Sequence, residues 1–159
     1  MTEITVISVG TLKEQYLTAA VEEYKKRLSQ FARVFEVNIK EEKIADEDNR
    51  TEIANALDKE GEKILQAVPK SSRLITLCIE GKEYDSEGLS ALIENFSDEC
   101  GRIALVIGSS HGLSPKVKAA SDVKLSFSRL TFPHQLMRVI LFEALYRSFT
   151  IIAGKRYHK

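Results

Sequence analysis

Five consecutive apolar residues, Ile103-Ala104-Leu105-Val106-Ile107, followed at once by Gly108, constrain this chain more than any other feature. A run this short between turn signals reads as a strand, and a strand with no polar side must be covered on both faces. Coverage on both faces points to a parallel sheet between helical layers. The flanking sequence supplies those layers. Residues 4–9 read as a first strand closed by Gly10. A helical stretch follows over about 12–31, with Leu17, Ala20, Val21, Tyr24 and Leu28 on one face. Residues 34–39 alternate as a second strand. Residues 40–49 are polar and acidic and suit an exposed loop. A helix over about 51–68 ends at Pro69, with Gly61 a weak point inside it. Residues 73–79 form a third strand before Glu80-Gly81-Lys82, and 86–96 a short helix. After the fourth strand, Ser114-Pro115 starts another short helix, serine as N-cap and proline at N1. Residues 123–127 read as a fifth strand, and the last helix runs from Pro133 to about Phe149. Strands alternating with helices predict an α/β fold, a mostly parallel sheet covered on both faces, built as one domain over 1–159.

Composition narrows the function classes. Lys+Arg and Asp+Glu balance at 23 each, which argues against coating nucleic acid by bulk charge. The balance is uneven along the chain. Residues 129–159 carry six Lys/Arg (129, 138, 147, 155, 156, 159) against Glu143 alone, together with two of the three histidines. A local phosphate contact needs such a basic, aromatic-bearing end, and a solvated helix with a frayed tail would look the same. Cys78 and Cys100 give neither a disulfide framework nor metal-ligand spacing, so both are expected as buried reduced thiols. The N-terminus lacks the pattern of a signal peptide, and no apolar run approaches a membrane span. The expected location is the cytoplasm, with no membrane and no metal partner.

The last helix is apolar around most of its circumference, through Leu136, Met137, Val139, Ile140, Leu141, Phe142, Ala144, Leu145, Tyr146, Phe149 and Ile151. Such a helix must be covered all round. In a domain this small, a second copy of the chain is the expected cover, most simply a two-fold homodimer.

Candidate chemistry gathers in the last third. The single glycine in Val9-Gly10-Thr11 does not make a dinucleotide fingerprint, and no phosphate-binding loop is present. The loop Gly108-Ser109-Ser110-His111-Gly112 follows a strand and lets a backbone approach a ligand or simply turn. The stretch Leu125-Ser126-Phe127-Ser128-Arg129-Leu130-Thr131-Phe132-Pro133-His134 runs from a strand end into a helix N-terminus, where free N–H groups converge. Capping by Thr131 and Pro133 accounts for part of it without a ligand. Arg138 lies one turn after His134, its stem able to pack while its head stays wet. The end, Arg156-Tyr157-His158-Lys159, reads as a disordered tail unless something holds it.

The segment from Leu125 to Arg138, with Tyr146-Arg147 and the terminal Tyr157-His158-Lys159, closely resembles the RlmH family of small SPOUT-class methyltransferases of the ribosomal large subunit. The likeness runs end to end, through Val9-Gly10-Thr11-Leu12-Lys13-Glu14, Glu23-Tyr24-Lys25-Lys26-Arg27-Leu28, Lys59-Glu60-Gly61 and Ile79-Glu80-Gly81-Lys82. The resemblance implies S-adenosylmethionine-dependent methylation of N3 of a pseudouridine in 23S rRNA on the assembled ribosome. It also implies a homodimer and a C-terminal trefoil knot, an exception to the rule that chains do not thread. Cofactor contacts carry over to Leu77, Gly108, Phe127, Ser128, Arg129, Leu130, Thr131 and Phe132. His158 would act as general base or as a group orienting the target base, and Arg138 would stabilise charge on the flanking carbonyls. Arg129, Arg156 and Lys159 would meet phosphates, and Tyr157 would stack on a base. One position departs from the family, which usually reads Ile-Gly-Gly where this chain has Ile107-Gly108-Ser109. If that second glycine needs positive φ, serine costs roughly 1 kcal/mol; if it only needs to be small, serine fits. The competing readings are a non-catalytic ribosome-binding factor of the same fold, a flavodoxin-like or nucleotide-binding α/β protein, and a related SPOUT enzyme acting on tRNA.

Overall fold

A computed structural model describes all 159 residues. The elements in chain order are β1 (Thr2–Val9), α1 (Gln15–Leu28), β2 (Ala32–Ile39), α2 (Arg50–Ala67), β3 (Arg73–Glu83), α3 (Ser86–Cys100), β4 (Arg102–Ile107), α4 (Pro115–Ala120), β5 (Val123–Ser126) and α5 (His134–Ile152). The five strands form one sheet in the order β2-β1-β4-β3-β5, and every pair is parallel. The apolar run 103–107 is β4, the central strand, buried along its length after Arg102.

Two cores flank the sheet. One joins α1, α3 and α5 to one face through Val21, Leu28, Ile93, Phe96, Leu141, Phe142, Leu145 and Phe149, packed on Ile4, Val6, Ile103 and Leu105. The other holds α2 and α4 on the opposite face through Ile64 and Val117, against Ile7, Val9, Ala104 and Val106. Alternate residues of β1 and β4 thus go to opposite cores, which is the period-2 rule applied to strands buried twice over. Gly61 is explained by the second core. A Cβ there would lie 3.0 Å from Val117 Cγ2 and would strike Ser114 Oγ, so glycine lets α2 and α4 touch.

Local chemistry sets the boundaries. Asn49 caps α2 by accepting from the Glu52 N–H, Asp85 caps α3 through Gly88, and Ser114 caps α4 through Val117, with Pro115 following. Gly101 ends α3 in the left-handed region at φ +69. Helix α1 starts at Gln15, three residues later than expected. Helix α3 continues to Cys100, which is exposed rather than buried, whereas Cys78 is buried as expected.

The largest departure from the expected elements is in β3. The strand does not end at Ile79; it bulges. Leu125 of β5 sits opposite both Leu77 and Lys82, so residues 78–81 are thrown out of the ladder before pairing resumes at Lys82 and Glu83. Gly81 makes the fold-back possible. A Cβ there would lie 2.6 Å from the Lys124 carbonyl oxygen. In sequence, Glu-Gly-Lys reads as a turn because the pairing that resumes beyond it is nonlocal.

Candidate active site

The bulge, the loop after β4 and the loop after β5 all lie at the carboxyl edge of the sheet, where open α/β sheets bind ligands. Together they line a cleft of about 680 Å³. Leu77, Cys78, Ile79 and Glu80 form one wall, residues 107–113 a second, and the segment from Leu125 to Met137 a third. The volume falls within the range of small-molecule sites. Seven of the eight residues expected at the cofactor line it: Leu77, Gly108, Phe127, Ser128, Leu130, Thr131 and Phe132. The eighth, Arg129, points its side chain to solvent outside that lining. The loop from Ser109 to Gly112 and His134, candidate chemistry in the sequence, line it too, whereas Cys78, Ile79, Glu80, Leu113, Lys118 and Met137 carry no such signal. Gly81 was the one sequence signal for the bulge that brings in residues 78–80.

Backbone geometry builds this site. Gly108 is needed for close approach: a Cβ would lie 2.7 Å from the Gly112 carbonyl carbon and 2.9 Å from Leu113 Cδ2. Gly112 supplies the left-handed turn at φ +87 and donates its N–H to the Ser109 carbonyl at 2.9 Å. Ser109 itself has no positive φ, so serine fits there without strain. Its hydroxyl accepts from the His111 N–H at 3.3 Å and so stiffens the turn.

After β5 the chain leaves many donors free. The Leu130 N–H goes to Ser128 Oγ at 3.0 Å, but those of Ser128, Arg129, Thr131 and Phe132 have no partner within the chain. Thr131 does not cap α5. The N-cap position belongs to Pro133, which has no side-chain acceptor, so the helix opens on the cleft uncapped. A bare helix start and free amides suit a ligand carrying acceptor atoms and negative charge, while Leu77, Leu130 and Phe132 offer apolar surface to a flat ring. At the mouth, Lys118 Nζ pairs with Glu80 at 2.6 Å and holds that carboxyl below its usual range. Burial pushes the Cys78 thiol up, so it stays protonated and is no nucleophile.

Arg138 is not wet. It is buried beneath the ends of β1 and β2, donating from Nη1 to Asn38 Oδ1 and from Nη2 to the Gly10 carbonyl, both at 3.1 Å. Its Nε has no partner, and burial lowers its pKa. It does not line the cleft.

The tail is held rather than frayed. Tyr157 packs edge-on against Tyr146 with ring centroids 4.7 Å apart, lies under the Arg147 guanidinium, and donates its hydroxyl to Glu143 Oε1 at 3.2 Å. Burial first, then the Glu143 charge, pushes the Tyr157 hydroxyl up to about 12, so it remains a donor. Arg147 donates to Glu143 through Nε at 3.1 Å and Nη2 at 2.6 Å, and its Nη1 meets His158 Nδ1 at 3.2 Å. Arg156 and Lys159 are exposed beside this cluster. None of the tail residues lines the cleft of its own chain. Arg147 stands ten residues beyond Met137, about 15 Å along the helix.

The cleft, with its free amides and glycine turns, lies at the carboxyl edge of a parallel sheet, and no group of acidic, histidine or cysteine side chains is placed to hold a metal ion. A family model described as a predicted SPOUT methyltransferase matches residues 2–158, so the class is that of the SPOUT methyltransferases. The chain is 48% identical over 156 residues to "Ribosomal RNA large subunit methyltransferase H" of Caldicellulosiruptor bescii, covering 98% of this chain and 99% of that protein. It is 50% identical over 157 residues to "Putative ribosomal RNA large subunit methyltransferase H" of Methanococcus vannielii, and 45% identical over 157 residues to the protein named as in C. bescii from Shouchella clausii, with the same coverage in each case. The chain belongs to the RlmH family.

Proposed function

We propose that this protein transfers a methyl group from S-adenosylmethionine to N3 of a pseudouridine in 23S rRNA of the assembled ribosome, as a homodimer in the cytoplasm. The observation that carries the reading is the cleft: in a methyltransferase-family chain, seven of the eight expected cofactor positions line one cavity of fitting size. S-adenosylmethionine would supply an activated methyl group and its own leaving group, so positioning dominates the chemistry. Leu77, Leu130 and Phe132 would enclose the adenine. The free amides of residues 128–132 and the bare start of α5 would bind acceptor atoms and the carboxylate. Arg138 would act through the fold, bracing α5 on β1 and β2, rather than at the reacting atoms. The sheet order supports the C-terminal knot: the chain passes from β4 through α4 to β5 beyond β3, then returns across the cleft to α5.

The homodimer rests on α5. Leu136 is exposed, and Met137, Ile140 and Ala144 are half-exposed on the same face. Two copies of this helix packed antiparallel about a two-fold axis near Ile140 would bury that stripe. The same operation sets Arg147 of each chain opposite Pro133 of the other, which brings a tail to each cleft. Arg156 and Lys159 would then meet rRNA phosphates, as exposed basic side chains do. The reading of a non-catalytic binding factor rested on Ser109, and Ser109 has an unstrained backbone.

Two measurements test this. Mass mapping of 23S rRNA from cells with and without the gene should show one pseudouridine losing its methyl group. Identical maps would sink the substrate assignment. Light scattering should give twice the chain mass, and a stable monomer would remove the composite site.

A further inference from the structure

The tail cluster fixes more than position; it fixes a proton. An arginine guanidinium carries five N–H donors and no acceptor, and it stays charged. At 3.2 Å from Arg147 Nη1, His158 Nδ1 therefore presents its lone pair. A neutral imidazole with a bare Nδ1 carries its proton on Nε2. Arg147 cannot rotate away easily, since Nε and Nη2 are both committed to Glu143 Oε1. Glu143 is held in turn by the Tyr157 hydroxyl. The groups facing this cluster from α1 are engaged elsewhere: Arg27 lies over the rings of Tyr24 and Tyr146, and the Tyr24 hydroxyl meets Tyr157, while His158 Nδ1 has Arg147 as its partner. The remaining neighbours on the tail are Arg156 and Lys159, both basic.

We propose that His158 meets the target base as a hydrogen-bond donor through Nε2–H and not as a proton acceptor, and that Arg147, held by Glu143, is the positioning residue that imposes this tautomer. The proposal rests on the methyl-transfer reading above. In the reaction the N3–H bond of the imide breaks and its proton passes to water. The N3–CH3 bond then forms while the S–CH3 bond breaks and its electron pair stays on sulfur. Loss of the N3 proton spreads negative charge onto the two flanking carbonyl oxygens, and an Nε2–H donor aimed at one of them stabilises that charge as it develops. Tyr157, itself a committed donor, is no substitute base.

The tautomer is read in the free protein, independently of any substrate. Long-range nitrogen–proton correlation spectra of protein labelled with ¹⁵N-histidine, with the His158 signals assigned by their loss in His158→Gln, should show the Nε2–H form at neutral pH. In Arg147→Gln the Nδ1–H form should grow in. An Nδ1–H or doubly protonated ring in the parent protein would overturn the proposal. The activity arm uses ribosomes lacking the modification. His158→Ala should lose about 100- to 1,000-fold in kcat, the cost of one such donor. His158→Gln, which keeps an N–H near the Nε2 position, should stay within roughly tenfold of the parent protein. Gln as inactive as Ala would overturn the proposal. The parent protein's kcat should rise with pH through neutrality without levelling off, and a plateau that disappears in His158→Gln would restore His158 as the base. If the parent protein transfers no methyl group to these ribosomes, the substrate reading fails while the spectra still decide the tautomer.

Discussion

The two halves of α5 are built from different materials. At its start the helix meets the cleft through backbone: unpaired amides, an uncapped first turn and the glycine loops across from it. In its second half it meets the tail through side chains, in the chain of contacts Tyr157 to Glu143 to Arg147 to His158. A backbone-made site depends on the path of the chain and is indifferent to most side-chain changes. A side-chain cluster depends on particular atoms and on their protons. In the proposed reading the contrast divides the labour: one half would hold the methyl donor and the other would meet the acceptor base. In one chain these halves face different places, so the proposed reaction would need two copies.

The comparison breaks most sharply at Gly108. Gly108→Ala puts a Cβ against the Gly112 backbone and should weaken S-adenosylmethionine binding by about 10- to 100-fold in calorimetry, with the His158 spectrum unchanged. Unchanged affinity would mean the loop does not build the site. Glu143→Gln addresses the other half. Loss of the charge that holds Arg147 and Tyr157 should lower kcat about tenfold, leaving cofactor affinity intact. If affinity falls instead, the two halves are not separate.

Arg138 lies between them and tests whether they are mechanically joined. Arg138→Met strands the Gly10 carbonyl and Asn38 Oδ1, and should cost about 2 kcal/mol in urea unfolding. Its kcat on ribosomes at a temperature where it remains folded should stay near the parent value, since its guanidinium does not line the cleft. A collapse of kcat in folded protein would return Arg138 to the reacting atoms.

The smallest effect belongs to a control on α2, across the sheet from α5. Glu60 is buried under the acidic loop, accepting from the Glu42 N–H with one oxygen unpaired, and desolvation raises its pKa. The folded protein holds that proton more tightly than the unfolded chain. The carboxylate's cost is therefore absent below the usual carboxylate range and grows as pH rises through it to the raised value. Glu60→Gln should stabilise the protein by about 1 kcal/mol at neutral pH and by less at acid pH, with no change in kcat. A variant less stable at neutral pH would show that the carboxylate is needed as an acceptor.

Much of this was legible before folding. The alternation of elements, the doubly buried β4, the caps at Ser114 and Pro115 and the wall from Phe127 to Phe132 all follow from local pattern or from the resemblance. Three features did not. The β3 bulge is set by renewed pairing with β5, which no window of residues 73–83 contains. The burial of Arg138 depends on acceptors 100 and 128 residues away. The order of the tail depends on Glu143 and Arg147 receiving it.

By itself the sequence determined which segments become strands and helices, because periodicity and capping act over a few residues. It also determined, through its motif, where a methyl donor is to be sought. Tertiary structure alone decided which polar groups were left without partners at the cleft and which tail atoms were given one. Hydrogen-bond satisfaction is a global property: a donor is free only when everything folded around it has failed to accept.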